Sequence, residues 1–227
     1  MSVTVSNVEW LPCWRIIPSR FPPIALYERV ARPEDLDAVY RIEALTNPRI
    51  RDEAGDLQLV PPEDRVSGPG TSPIMAAFTH LNPEGSRFTD GTFGVYYAGD
   101  TLSTAIEETK YRRAKFLGAT GEEPTELDMR VYTADLAAAL HDLRGRKAEF
   151  PLVYHPDDYG ASQHLAMTLR EQGSNGIVYN SVRRDAGFCV AAFRPRILTN
   201  CRQERHLAYV WDGSRISNIY EKRTLEV

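Results

Sequence analysis

The residues best suited to chemistry lie in one stretch, Gly85 to Phe116, which holds Arg87, two tyrosines and the carboxylate of Glu108 between clear turn signals. Glu108 follows Ala105 by three residues and Leu102 by six, so on a helix it shares their semi-buried face, whereas Glu107 is rotated by about a hundred degrees. A carboxylate held beside an apolar face requires a partner or a purpose. The same spacing also suits two solvated carboxylates paired with Lys110, Tyr111 or Arg112, and it does not choose between the two. A second cluster lies downstream, where the apolar run Gly176 to Tyr179 leads into Asn180 and Ser181 and then the basic pair Arg183 and Arg184.

These side chains need elements to position them. Gly85, Asp90-Gly91 and Gly99-Asp100 mark turns, and Phe93 to Ala98 between the last two predicts a short buried strand. Asp100 or Thr101 is the expected N-cap of a helix on which Leu102, Ala105, Ile106 and Thr109 recur. Lys110, Arg112, Arg113 and Lys115 gather toward its end, where they complement the helix dipole. Gly118 to Pro124 reads as a loop, Glu126 to Tyr132 as a strand with one buried face, and Ala134 to Arg144 as helix-prone. A helix is expected over Asp157 to Gln172 with Gly173 just past its end, followed by buried strands at Gly176 to Tyr179 and Phe188 to Phe193. Asp212-Gly213, between Leu207 to Trp211 and Ile216 to Tyr220, is a hairpin signal.

Upstream, Arg15 to Ile17 and Ile24 to Val30 lean toward strand on either side of a proline-rich turn. Pro33 opens a helix that Asn47-Pro48 closes. Asp52 to Pro73 is polar and without periodicity, a long loop that suits a lid, a binding segment or disorder, and Ile74 to Phe78 is a short apolar run. The whole reads as α+β, rich in short strands.

Composition sets the class. With 227 residues, 42% hydrophobic and 26% charged, the chain fits a single globular domain over residues 1–227, with an N-terminal elaboration over 1–79, a core over 80–195 and C-terminal strands over 196–227. A net charge of -4 argues against a general nucleic-acid binder. Cys13, Cys189 and Cys201 are too few and scattered for a disulfide framework or paired metal knuckles. The N-terminus lacks a signal-peptide pattern and no run approaches membrane-spanning length, so a soluble cytoplasmic protein without membrane contact is expected. No phosphate-binding glycine loop is present, the five histidines show no metal-ligand spacing, and Ser162 and Ser181 lack the hydrolase elbow.

The ordered set Gly85-Ser86-Arg87-Phe88, Gly94 to Ala98, Ala105 to Glu108 and Gly176 to Ser181 resembles the RES-domain family, named for an arginine, a glutamate and a serine. On that match the name-giving residues are Arg87, Glu108 and Ser181, with Tyr97 as the accompanying aromatic, and the resemblance runs from His80 to Pro195. Asn180 stands where the pattern has proline, and Phe88 where some members carry tyrosine.

The resemblance implies an ADP-ribosyltransferase-like fold of short twisted β-sheets with flanking helices, NAD as substrate, no metal, and a role as the toxin of a bacterial toxin–antitoxin pair. The expected activity is cleavage of the nicotinamide–ribose bond, by phosphate as an NAD phosphorylase, with transfer of ADP-ribose to a protein as the alternative. An inert binding module that kept the scaffold is a further alternative. Partners would be NAD, a cognate antitoxin, and inorganic phosphate or a protein acceptor. In this scheme Glu108 binds the ribose hydroxyls and favours the oxocarbenium-like centre, and Arg87 offers a fork to the pyrophosphate. Tyr97 gives a face to nicotinamide, Ser181 orients substrate or the attacking phosphate, and Phe88 joins Arg87, Tyr97 and Ser181 in the cofactor-binding set. Arg183 and Arg184 either extend the anion pocket or are solvated.

Overall fold

The computed structural model describes residues 3–19, 38, 55–223 and 225. The strand expected at Ile24 to Val30 and the helix opened by Pro33 lie outside the described residues. Among those described are seven strands: β1 (Val5–Pro18), β2 (Tyr96–Gly99), β3 (Thr125–Asp142), β4 (Gly176–Asn180), β5 (Phe188–Ala192), β6 (Leu198–Trp211) and β7 (Ile216–Lys222). Three α-helices accompany them, α1 (Ser72–Thr79), α2 (Leu102–Thr120) and α3 (Gly160–Glu171).

The sheet runs β1-β2-β5-β4-β3-β6-β7, and a further β1–β3 pairing closes its first five strands into a ring. β1 lies antiparallel to β3 from Val5 opposite His141 to Pro18 opposite Met129, while β4 joins the far end of β3 in parallel through His141–Ile177 and Asp142–Val178. β6 and β7 extend the other edge of β3 as an antiparallel hairpin. Alternate residues of β4 and β5 serve two cores: Val178, Val190 and Ala192 pack with α1, and Ile177, Tyr179, Cys189 and Ala191 pack with α3. α2 covers a third core against β3, β6 and β7 through Ala105 and Leu117.

Several expectations shift. Ala134 to Arg144 is not helical, because β3 continues to Asp142. Its period of two is visible only in burial: Ala134, Leu136 and Leu140 are fully buried, while alanines on the opposite face blur the alternation and raise local helix propensity, which pairing with β1 overrides. Gly118 does not end α2, which runs to Thr120 and stops at Gly121 in the left-handed conformation (φ 65°). The expected basic helix end is thus mid-helix. The strand expected from Phe93 starts at Tyr96, and α3 starts at Gly160 rather than Asp157. The described part of the long loop, from Gly55, is packed: Leu57 and Val60 are buried, and Arg65 donates to the carbonyls of both.

Candidate active site

The site forms where four segments converge: the 85–89 turn, the first turns of α2, the loop at 153–157, and the chain leaving β4. Thr101 caps α2, its hydroxyl accepting from the Thr104 amide at 3.2 Å, and Asp100 accepts from the Thr104 hydroxyl at 2.7 Å. Gly99 lets β2 run against this helix start, because a Cβ there would fall 2.8 Å from the Ala105 nitrogen. Tight seating of the helix N-terminus carries Glu108, two turns in, to the end of β4.

There the two clusters meet. The Ser181 hydroxyl donates to Glu108 Oε1 at 2.6 Å, the Val182 amide donates to the same oxygen at 3.3 Å, and the Cys189 thiol approaches it at 3.7 Å. Among the described residues Oε2 carries no hydrogen bond. Ser181 is 1% exposed, and its oxygen also accepts from the amides of Arg183 at 3.1 Å and Arg184 at 3.0 Å. One hydrogen and two lone pairs exhaust a hydroxyl. The expected contact of Ser181 with substrate thus competes with three bonds that already hold its hydroxyl to Glu108 and the two amides. Glu107 points away and pairs with Lys110 at 3.6 Å.

Arg87 is also committed. Its guanidinium is buried, donates through Nη1 to the carbonyls of Val153 at 3.0 Å and His155 at 2.8 Å, reaches Pro156 O through Nη2 at 3.5 Å, and lies 4.8 Å over the Tyr159 ring. Most of the fork expected to meet a pyrophosphate is taken up by backbone carbonyls of residues 153–156, leaving Nε and part of Nη2. Neither Asp90 nor Glu84 pairs with it: Asp90 caps Thr92 instead.

Tyr97 is half-buried. Its hydroxyl accepts from the Phe88 amide at 2.9 Å and shares a 2.8 Å bond with the Ser86 hydroxyl, and burial pushes its ionisation up. The Arg112 guanidinium lies 5.7 Å from its ring centroid. Phe88 does not fit a cofactor-binding role: it is 1% exposed, with its ring edge-on to Tyr179 at 4.9 Å. Its apolar ring is core, and only its amide serves the site. The basic pair is engaged on the rim, Arg183 with Pro156 O and stacked on Tyr111, Arg184 with the Thr101 hydroxyl at 3.2 Å. Asn180 donates its amide to the Tyr154 hydroxyl at 3.2 Å, a bond that proline cannot make.

Sequence reasoning passed over Tyr179 and Cys189. Both are buried, and burial followed by neighbouring negative charge, including that of Glu108, raises both well above their ordinary values, so both stay protonated. The signal for Tyr179 was present: it stands on β4 two residues before Ser181, next to the end of the strand that delivers the serine. Among the described residues there is no group of three or more His, Cys, Asp or Glu side chains placed to hold a metal ion, and no helix is long and apolar enough to cross a membrane.

An uncharacterized protein, y4oC, of Sinorhizobium fredii is 34% identical over 217 residues, spanning 91% of this chain and 86% of its own. The crystal structure of the M. tuberculosis MbcT–MbcA toxin–antitoxin complex contains a chain that aligns over 92% of this one and 87% of its own, at 12% identity and a TM-score of 0.42. The RES domain matches residues 62–212, a span that holds Arg87, Tyr97, Glu108 and Ser181 together, and this chain belongs to the RES domain family.

Proposed function

We propose that this protein is the NAD-consuming toxin of a toxin–antitoxin pair and that it cleaves the nicotinamide–ribose bond with inorganic phosphate as acceptor. One observation carries the chemistry: Glu108 is fixed through Oε1 by three neutral donors, while Oε2 is left unengaged. In the proposed reaction Oε2 accepts from a ribose hydroxyl, and the carboxylate charge opposes the positive charge that develops on the sugar as the glycosidic bond stretches. A phosphate oxygen bonds to the anomeric carbon, the carbon–nitrogen bond breaks, and its electron pair neutralises the pyridinium nitrogen to release nicotinamide. Tyr97 presents an aromatic surface to the departing ring. The unbonded edge of Arg87 and the exposed guanidinium of Arg112, which has no hydrogen bond or ion pair among the described residues, supply positive charge for the phosphates. Membership of the RES domain family supports the toxin role and the antitoxin partner in this reading.

The test is nicotinamide release from NAD by purified protein, with and without phosphate, together with labelled NAD in cell lysate. A phosphate-dependent rate yielding phosphorylated ADP-ribose supports the proposal. Negligible loss in phosphate with label on one lysate protein replaces it with the transferase, and neither signal marks an inert module. Expression of the chain alone is expected to arrest bacterial growth, with relief by the cognate antitoxin; unimpaired growth at confirmed expression removes the toxin role.

A further inference from the structure

Tyr179 lies near the C-terminal end of β4, opposite Cys189 on β5 and two residues before Ser181. It is 4% exposed, yet its phenol has no hydrogen-bond partner among the described residues. The neighbouring hydroxyls are matched: Ser181 to Glu108, Tyr97 to Ser86 and the Phe88 amide, Tyr154 to Leu143 O and the Asn180 amide. Unlike the phenol of Tyr96, which is fully buried without a partner, the Tyr179 hydroxyl keeps access from outside, so a ligand can become its partner.

The surroundings of that hydroxyl define what would satisfy it. Phe88 fixes the ring edge-on from one side, and on the other Cys189, facing Tyr179 across the ladder, brings its sulfur to 3.7 Å from Glu108 Oε1. The groups that bear on the phenol are Cys189, Glu108, Tyr97 and Arg87, the same residues that meet at the site described above. The neutral phenol is a donor and the free Oε2 of Glu108 an acceptor. A sugar diol presents such a complement, one hydroxyl donating to the carboxylate and the adjacent oxygen accepting from the phenol.

We propose that Tyr179 is a further substrate-contacting residue, its hydroxyl donating to an oxygen of the ribose whose neighbouring hydroxyl is held by Glu108. This rests on the NAD-site proposal above. Tyr179→Phe keeps the ring that packs against Phe88 and removes only the hydroxyl.

The experiment measures binding of ADP-ribose and of ADP, which lacks that ribose, to wild type and Tyr179→Phe by calorimetry, with thermal midpoints and NAD turnover of both. Loss of one neutral hydrogen bond predicts about 2- to 13-fold weaker binding of ADP-ribose. Binding of ADP is expected to stay unchanged, as is the midpoint. Equal ADP-ribose affinities in a wild type that consumes NAD overturn this inference and leave the NAD site standing. Equal weakening for both ligands, or a lowered midpoint, makes the phenol structural and also overturns it. A wild type that neither binds ADP-ribose nor releases nicotinamide from NAD overturns the inference and the NAD site together.

Discussion

Ser181→Ala tests whether the serine acts through the carboxylate or on the substrate. The 2.6 Å bond to Glu108 Oε1 is short and charge-assisted, a class worth about 1.5–3 kcal/mol. The two remaining donors to that oxygen stand at 3.3 Å and 3.7 Å, so they restrain the carboxylate weakly. If the full worth of the serine bond selects the competent rotamer, its loss lowers that population by about 10- to 160-fold, and the residual contacts favour the lower half of this range. The assay is nicotinamide release in four proteins: wild type, Ser181→Ala, Glu108→Gln and the double variant. Glu108→Gln alone should cost several orders of magnitude, because the nearly isosteric amide carries no charge. Adding Ser181→Ala to it should cost almost nothing further, since the serine has no carboxylate left to position. An equal cost in both backgrounds refutes the reasoning and puts the hydroxyl on the substrate.

Arg87→Lys is expected to weaken NAD binding and also to lower the thermal midpoint by several degrees, because the ammonium loses the Nη2 contact to Pro156 O and the planar stack on Tyr159 that accompany the Nη1 bonds to Val153 and His155; an unchanged midpoint in a scanning calorimeter contradicts the clamp. Glu107→Gln should leave turnover and stability within experimental error, as its 3.6 Å pair with Lys110 is solvent-exposed, and a large loss of rate shows the helix register to be wrong. Asp142 feels burial, which raises its ionisation, but its bonds to Arg144 outweigh it and hold the carboxyl below its ordinary value of 3.8. A depressed carboxylate stabilises the fold above the ordinary value and loses that contribution as pH falls through the depressed one. Asp142→Asn should therefore cost about 1 kcal/mol by denaturant melts at neutral pH. The difference should vanish on strong acidification, and a gap that widens in acid contradicts the sign.

Local elements were legible where one signal dominated. Asp212-Gly213 places the β6–β7 turn, Thr101 caps α2, and the apolar runs at Gly176 and Phe188 are β4 and β5. The ring was not legible, since it depends on β1 meeting β3, a pairing of Val5 with His141 that no local pattern encodes. Nor was β3 beyond Tyr132, because alanine satisfies either face of a strand and also favours a helix. At the site, the family pattern brought forward the residues that meet, but their roles depend on competition for hydrogen bonds. Arg87 has the donors for a pyrophosphate, and backbone carbonyls from residues 153–156, far away in the chain, take most of them. Phe88 follows Arg87 directly, yet its ring enters the core beneath Tyr179.

The choice of donors around Glu108 bears on the proposed chemistry. A lysine or arginine on Oε1 would hold the carboxylate more strongly, but it would cancel much of the charge that an oxocarbenium-like state needs beside it. Here the holders are a hydroxyl, an amide and a thiol, and no cation pairs with Glu108 among the described residues. The cations nearby in the chain are diverted: Arg112, one helical turn on, lies over the Tyr97 ring, while Arg183 and Arg184 give Ser181 their amides and send their side chains to Pro156 and Thr101. Neutral donors fix the position of Oε1 without neutralising the group, and in the proposed reaction Oε2 keeps that charge for the substrate.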